Sequence, residues 1–324
     1  MNTFNSISSA ILNSKKTRAV VASSNPTLTP SFPYAYTTSR QTTIACSVKG
    51  QYVSYCCNDS IYTSQNYGVI FNFKSISNTP FTSIAINTSG QYQMASSTGT
   101  SSAESCIYGS SDYGVTWTKR MSGTLNNTTR YFEKSIISSS GLYWFCCSTG
   151  NAGFSNAFSN DYGATFSFKH DSLCRTTGCL SGTNVLLFES YNIQMRRIDL
   201  LNPNTEVTTT SSPYGGGTYH LSSDNVGNVV MIHSNHPSMQ VSTDFGITWI
   251  NRQGLPMSPK FAYISGGKIW ATSSNVFYRS DDLGITFTLI YTLPAGETIK
   301  SFCGNITYIN FVCVSGKVGV LTLS

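Results

Sequence analysis

The chain has 324 residues, 40% hydrophobic and 13% aromatic but only 10% charged, against a usual ~25%. Serine, threonine, asparagine and glycine supply the polarity, which excludes a coiled coil, a charge-rich disordered chain and an ordinary helical enzyme. Twenty basic and 14 acidic residues leave a mild +6, no run of Lys or Arg exceeds two, and the longest apolar runs (184–188, 308–314) are short, so neither a nucleic-acid footprint nor a membrane-spanning helix is expected.

Residues 1–40 read as an N-terminal arm, and 41–324 as a single domain. Phe4, Ile7 and Ile11 fall at helical spacing ahead of Lys15, Lys16 and Arg18, and no acidic residue precedes Asp59. Such a stretch fits a segment that docks to a larger assembly, a frayed terminus or a targeting segment. It lacks the continuous apolar core of a secretory signal, so a virion or intracellular setting is expected. Thr17–Ala22 (TRAVVA) has the composition of a single strand.

Beyond the arm, one turn recurs: SQNYGVIF from Ser64, SSDYGVTW from Ser110, SNDYGATF from Ser159, STDFGITW from Ser242 and SDDLGITF from Ser280. The common form is Ser-x-Asp-x-Gly-x-Thr-aromatic. The first copy departs at Asn66 and Ile70. From position 66 the third residues lie 46, 49, 83 and 38 apart. The long interval is close to two periods, so a degraded copy is expected near residue 200, at 199–205. Around each copy run alternating apolar stretches bounded by Gly, Ser and Asn, as at 82–87, 91–96, 105–108 and 115–119. Period-2 runs of this kind are strands of a meander, and four strands per ~40–50 residues is one propeller blade.

The fold expected is all-β, a seven-bladed β-propeller of four-stranded antiparallel blades. The blades start near Thr42, Phe81, Phe132, Cys174, Tyr219, Phe261 and Thr298. The last has room for three strands, so an N-terminal strand at Thr17–Ala22 is expected to close the ring and remove its open edge.

The repeated turn resembles the Asp-box, the bacterial neuraminidase repeat of sialidase-like propellers. The resemblance implies a structural role for Ser64, Asn66, Gly68, Ser110, Asp112, Gly114, Trp117, Ser159, Asp161, Gly163, Ser242, Asp244, Gly246, Trp249, Ser280, Asp282 and Gly284. Asp and Ser side chains would bond backbone N–H groups in the turn. Gly would supply a positive φ, and the aromatic would pack between blades. Boxes of this family lie away from the ligand face.

The ligand face is then the one carrying the blade-to-blade crossovers, since loops on a rigid scaffold are where function sits. Candidates there are Arg130, Tyr131, Glu133, His170, Asp171, Arg175, Tyr214, Tyr219, His220 and Arg252. Tyrosines beside Arg and His suit a sugar by stacking and bidentate contacts. No metal set is visible among the four histidines and ten cysteines, no CxxC occurs, and no cofactor motif is present. The paired Cys56-Cys57 and Cys146-Cys147 read as small core residues.

The function expected is a non-catalytic attachment or interaction propeller that recognises a glycan or protein partner, with a virion surface component as the setting. The alternatives are a glycoside hydrolase of sialidase type and an assembly factor resembling the photosystem II assembly propeller. The sialidase alternative lacks an Arg-Ile-Pro motif, and a hydrolase would need two convergent carboxylates. Glu133, Asp171 and Glu297 are the acids expected nearest the axis.

Overall fold

In the computed structural model the described residues are 27–28, 43–76, 80–98, 105–125, 128–129, 131–149, 156–169, 174–181, 185–190, 194–201, 207–211, 219–224, 226–233, 238–253, 255, 258–305 and 307–323. Every element among them is a strand. β1 is Thr27–Leu28. β2 (Ile44–Cys46), β3 (Val53–Cys57), β4 (Ser60–Ser64) and β5 (Asn72–Ser75) form one antiparallel sheet. β6 (Phe81–Ile86), β7 (Gln93–Ser97), β8 (Cys106–Ser110) and β9 (Thr118–Ser122) form the next. After a small hairpin of β10 (Thr124–Leu125) and β11 (Thr128–Thr129) come β12 (Tyr131–Ile137), β13 (Trp144–Thr149), β14 (Asn156–Ser159) and β15 (Ser167–Lys169).

A fourth sheet holds β16 (Cys174–Ser181), β17 (Val185–Ser190), β18 (Gln194–Asp199) and β19 (Val207–Ser211). The fifth holds β20 (Tyr219–Ser223), β21 (Val229–His233), β22 (Met239–Ser242) and β23 (Ile250–Arg252). The sixth holds β24 (Phe261–Ser265), β25 (Lys268–Ser273), β26 (Val276–Ser280) and β27 (Thr288–Thr292). These six sheets each use four consecutive strands. One further four-stranded sheet is composite: β28 (Ile299–Gly304), β29 (Tyr308–Cys313) and β30 (Val318–Thr322) are completed by β1 on the far side of β30.

The first strands begin within two residues of the blade starts read from the sequence. An N-terminal strand does pair with the last one. Thr27 and Leu28 pair with Val320 and Gly319, whereas Thr17–Ala22 lies outside the described residues. Of the degraded turn expected at 199–205, residues 199–201 are described, with Leu201 N–H donating to Asp199 Oδ1 at 3.0 Å.

First strands touch in succession, β2 to β6 to β12 to β16 to β20 to β24 to β28, and β28 returns to β2. Apolar side chains gather between neighbouring sheets rather than within one. Cys56 and Ile61 pack with Phe81 and Tyr108, Met94 and Ile107 with Phe132 and Trp144, and Ile136 and Phe158 with Ile198 and Leu200. Val230 and Val241 pack with Ile264 and Ile269, and Trp270 and Phe277 with Phe302 and Phe311. The same layer crosses the seam, where Val53 and Tyr55 meet Val312 and Val318. Inner strands such as β3, β7 and β8 are therefore buried on both faces, whereas β5 is exposed along its length.

Of the paired cysteines read as small core residues, Cys56, Cys57 and Cys146 are buried thiols, as are Cys46, Cys106, Cys303 and Cys313. Cys147 is the exception, because it is disulfide-bonded.

Candidate functional site

The repeated turns form one hydrogen-bonded device. Ser110 Oγ donates to Asp112 Oδ1 at 2.8 Å and accepts from Gly114 N–H at 2.9 Å. Asp112 then accepts from Thr116 N–H at 2.8 Å and from Thr116 Oγ at 2.5 Å. The same set recurs at Ser159, Asp161, Gly163 and Thr165. It recurs again at Ser242, Asp244, Gly246 and Thr248, and at Ser280, Asp282, Gly284 and Thr286. In the first copy Ser64 donates to Asn66 Oδ1 and Gly68 N–H to Ser64 Oγ, while Ile70 N–H donates to Asn66. The two departures belong together: an amide offers a single acceptor oxygen, and Ile70 brings no hydroxyl that would need a second. Trp117 and Trp249 each donate Nε1–H to the turn glycine's carbonyl, Gly114 and Gly246, at 3.1 Å.

One feature of this turn escaped the sequence reading. The residue before the glycine is left-handed as well: Tyr67, Tyr113, Tyr162, Phe245 and Leu283 have φ between 54° and 64°, a conformation bulky residues resist. The aromatic ring repays it with a contact to the preceding sheet. Tyr113 stacks on Tyr52 at 4.6 Å, Tyr162 lies 4.9 Å from Tyr92, and Tyr67 lies 4.8 Å from Tyr308 across the seam. Gly90 lets the next sheet's first turn approach that clasp, since a Cβ there would meet Tyr52 at 2.3 Å.

The carboxylates in these turns are held low. Hydrogen bonds from Thr165 and Ser159 bring Asp161 to about 2. At Asp282 burial pushes upward, but the bonds from Thr286 and Ser280 prevail and bring it to about 2. An acid so committed to its own turn is a structural strut, and none of these side chains lines the axial channel.

That channel is a concave site. It has a volume of about 560 Å³ and is walled by the first strands β2, β6, β12, β20, β24 and β28. Its wall is tied together by hydroxyls. Ile44 N–H donates to Ser301 Oγ at 3.4 Å, Ile84 N–H to Thr43 Oγ1 at 3.0 Å, Ser135 N–H to Ser83 Oγ at 3.0 Å and Ile264 N–H to Ser222 Oγ at 3.1 Å. Each bond crosses from one sheet to the preceding one. Thr43 and Ser83 stand immediately before Ile44 and Ile84, so the pattern steps around the axis.

The charged groups in the wall are cationic. Lys134, Lys300, His220 and Tyr263 line it beside Phe261 and Phe302, and no carboxylate is among the described lining residues. Burial lowers the Lys134 pKa, opposed by neighbouring Glu133, and burial also lowers that of Lys300. Burial, with the Lys134 ammonium behind it, brings His220 down to about 3; its ring meets Phe261 edge-on at 4.9 Å. Burial raises Tyr263 well above the usual phenol range. Lys134 and Lys300 follow β-bulges in, or sit within, their strands: register shifts fall between Phe132 and Lys134 and between Ile299 and Ser301. Bulges re-aim side chains.

The opposite mouth is lined by turns, including Asn87, Thr88, Ser139 and Asp224. Asp224 is occupied there: it accepts from Val226 N–H, Asn228 N–H, Asn228 Nδ2 and Gly267 N–H.

Of the ten ligand candidates read from the sequence, the structure brings His220 into the channel. Glu133 lies at the β12 bulge beside Lys134. Arg252 is elsewhere, its Nε–H donating to the Leu283 carbonyl in the neighbouring sheet at 3.2 Å. Tyr131 and Tyr219 are the first residues of β12 and β20, and Arg175 is the second of β16. Arg130, His170, Asp171 and Tyr214 lie outside the described residues. Glu297 is committed to Ser315 Oγ and Lys317 Nζ, both at 2.5 Å. Lys134, Tyr263 and Lys300 were missed. The available signal was a polar residue one or two places before an apolar one in each first strand.

No family model and no curated protein sequence matches the chain. Among solved structures the fold is similar to that of "YCF48 bound to D1 peptide", at 11% identity and a TM-score of 0.62, over 92% of this chain and 98% of that one. The fold and channel thus define the chain as a β-propeller of four-stranded antiparallel blades.

Proposed function

We propose that this protein is a non-catalytic propeller that holds a peptide segment of a protein partner at the crossover-loop face, in the manner of an assembly factor. The reading takes the seven four-stranded sheets as blades of one ring, latched by β1, with the Asp-box-like turns on the opposite face. The observation that carries it is the channel, a concave site whose described charged wall residues are Lys134 and Lys300, with the neutral His220 ring in the same wall and no described carboxylate. First strands enter from the crossover side, so these early-strand residues lie toward that mouth. The similar fold of YCF48, solved with a D1 peptide, supports a peptide as the kind of ligand such a face accepts.

A glycan remains the competing ligand, on the strength of the crossover Tyr, Arg and His residues. The test presents immobilised protein to a displayed random-peptide library and to a glycan array in parallel. Enriched peptides that bind saturably, and lose binding on Lys300→Glu, support the peptide reading. Saturable glycan binding without peptide enrichment would replace it.

A further inference from the structure

Cys46 ends β2 and Cys303 stands in β28, the two first strands that meet where the last sheet returns to the first. Ile44 N–H donates to Ser301 Oγ at 3.4 Å across this seam. Cys46 and Cys303 lie two places further along their strands, and residues two apart on a strand share a face. The two side chains accordingly meet: they are hydrogen-bond partners, and both belong to one buried cluster with Val312 and Val318, against which Tyr263 packs. Both are free thiols, and both line the channel of about 560 Å³, which gives a small molecule a route to them. Nearly the whole chain separates them in sequence. β1 ties the N-terminal side of the chain to the last sheet through two residue pairs, whereas a bond from Cys46 to Cys303 would tie it covalently. The chain already carries a disulfide at Cys147, and disulfides persist where thiols are oxidised.

We propose that Cys46 and Cys303 form a second disulfide site, whose oxidation staples the first sheet to the last. This goes beyond the partner-binding reading and does not depend on it. The oxidant is a low-molecular-weight disulfide that enters the channel. One protein thiol loses its proton and attacks a sulfur of the oxidant, which forms a mixed disulfide and releases one small thiolate. The second protein thiolate then attacks the protein sulfur of that mixed disulfide. The Cys46–Cys303 bond forms and the second small thiolate leaves. Two protons pass from the protein to the released thiolates, and two electrons reduce the oxidant to two thiols. Burial, and then the Cys46 sulfur beside it, holds the Cys303 thiol well above the usual range, so the exchange is slow at neutral pH and favoured in mildly alkaline buffer. A bond between residues so distant in sequence restricts the unfolded chain most, which is where its stabilisation arises.

The test treats the folded full chain with bis(2-hydroxyethyl) disulfide in mildly alkaline buffer. Remaining thiols are then alkylated in denaturant, and the peptides are mapped by mass spectrometry without reduction. A peptide pair joined through Cys46 and Cys303 should appear, with the loss of two hydrogens. The thermal midpoint of the treated protein should rise by about 5–10 °C over the untreated protein. Cys303→Ser, treated in parallel, should give no such pair and no rise. The mapping and the melting comparison use the wild-type chain, so they decide the matter even where the variant does not fold. Recovery of both cysteines in alkylated form, mixed disulfides that never resolve, either cysteine joined to a different one, or a Cys46–Cys303 bond that leaves the midpoint unmoved would overturn the proposal.

Discussion

The Trp144 indole occupies the space that a side chain at Gly163 would need: a Cβ at Gly163 would lie 2.7 Å from Trp144 Cε3. The indole is fully buried and donates Nε1–H to the Gly141 carbonyl at 2.7 Å. Its other edge fits against Gly109 of the preceding sheet, where a Cβ would come within 2.9 Å. Gly163 also has φ +74°. Gly163→Ala should therefore cost about 2–3 kcal/mol, from left-handed strain plus overpacking. Thermal unfolding reads this, and an unchanged Tm would refute the packing described.

The first turn offers a gain. Asn66→Asp with Ile70→Thr rebuilds the carboxylate and hydroxyl pair seen at Asp112 and Thr116. The double variant should be more stable by about 0.5–1 kcal/mol, and more than the two single changes together, because the groups act as a pair. Additive or negative effects in chemical denaturation would contradict that.

The turn aspartates also set an acid limit. Their folded pKa values are depressed, to about 2 at Asp161 and Asp282 from an ordinary 3.8. Their stabilisation is present above pH ~4 and is lost as pH falls toward 2. Asp161→Asn should flatten the fall of the denaturation midpoint across that window; a fall as steep as in the wild type would place the acid sensitivity elsewhere.

His220 acts over a higher window. It is held near 3 in the fold against an ordinary 6.5, so the unfolded chain takes a proton that the folded chain refuses. Stability should decline as pH falls from about 6.5 toward 3. His220→Gln should remove that slope. Nuclear magnetic resonance of the ring should show it neutral at pH 5; a ring titrating near 6.5 would contradict its confinement.

At the seam, β1 contributes two residue pairs to β30. The seam is also held by Tyr67 against Tyr308, by Ile44 N–H to Ser301, and by Asn305 Nδ2 to the Val48 carbonyl at 3.2 Å. Removing residues 1–30 should thus cost about 1–2 kcal/mol rather than unfold the ring. Loss of the cooperative transition would show that the latch carries more than its hydrogen bonds.

The strand plan was legible because five of the sheets repeat alternating runs and one turn, so Ser110 to Trp117 announces both a turn and the strands flanking it. The β1 pairing was not, because two residues amid Ser and Pro at 27–28 carry no period. Tyr113 was read as a spacer, since nothing in sequence marks a tyrosine as left-handed. Lys134 and Lys300 were not among the candidates; both stand at register shifts that no sequence signal marks. Arg252 looked like a loop residue, yet a carbonyl one sheet away holds it. Cys147 shared its motif with Cys146, and nothing in the motif tells the bonded cysteine from the free one.

The most direct measurement is a crystal structure of the protein with a peptide selected by the displayed library. The account predicts the peptide on the crossover-loop face, entering the channel mouth beside Lys134, Lys300 and His220. A peptide seated on the face of the repeated turns, or along the exposed outer strands such as β5, would contradict it.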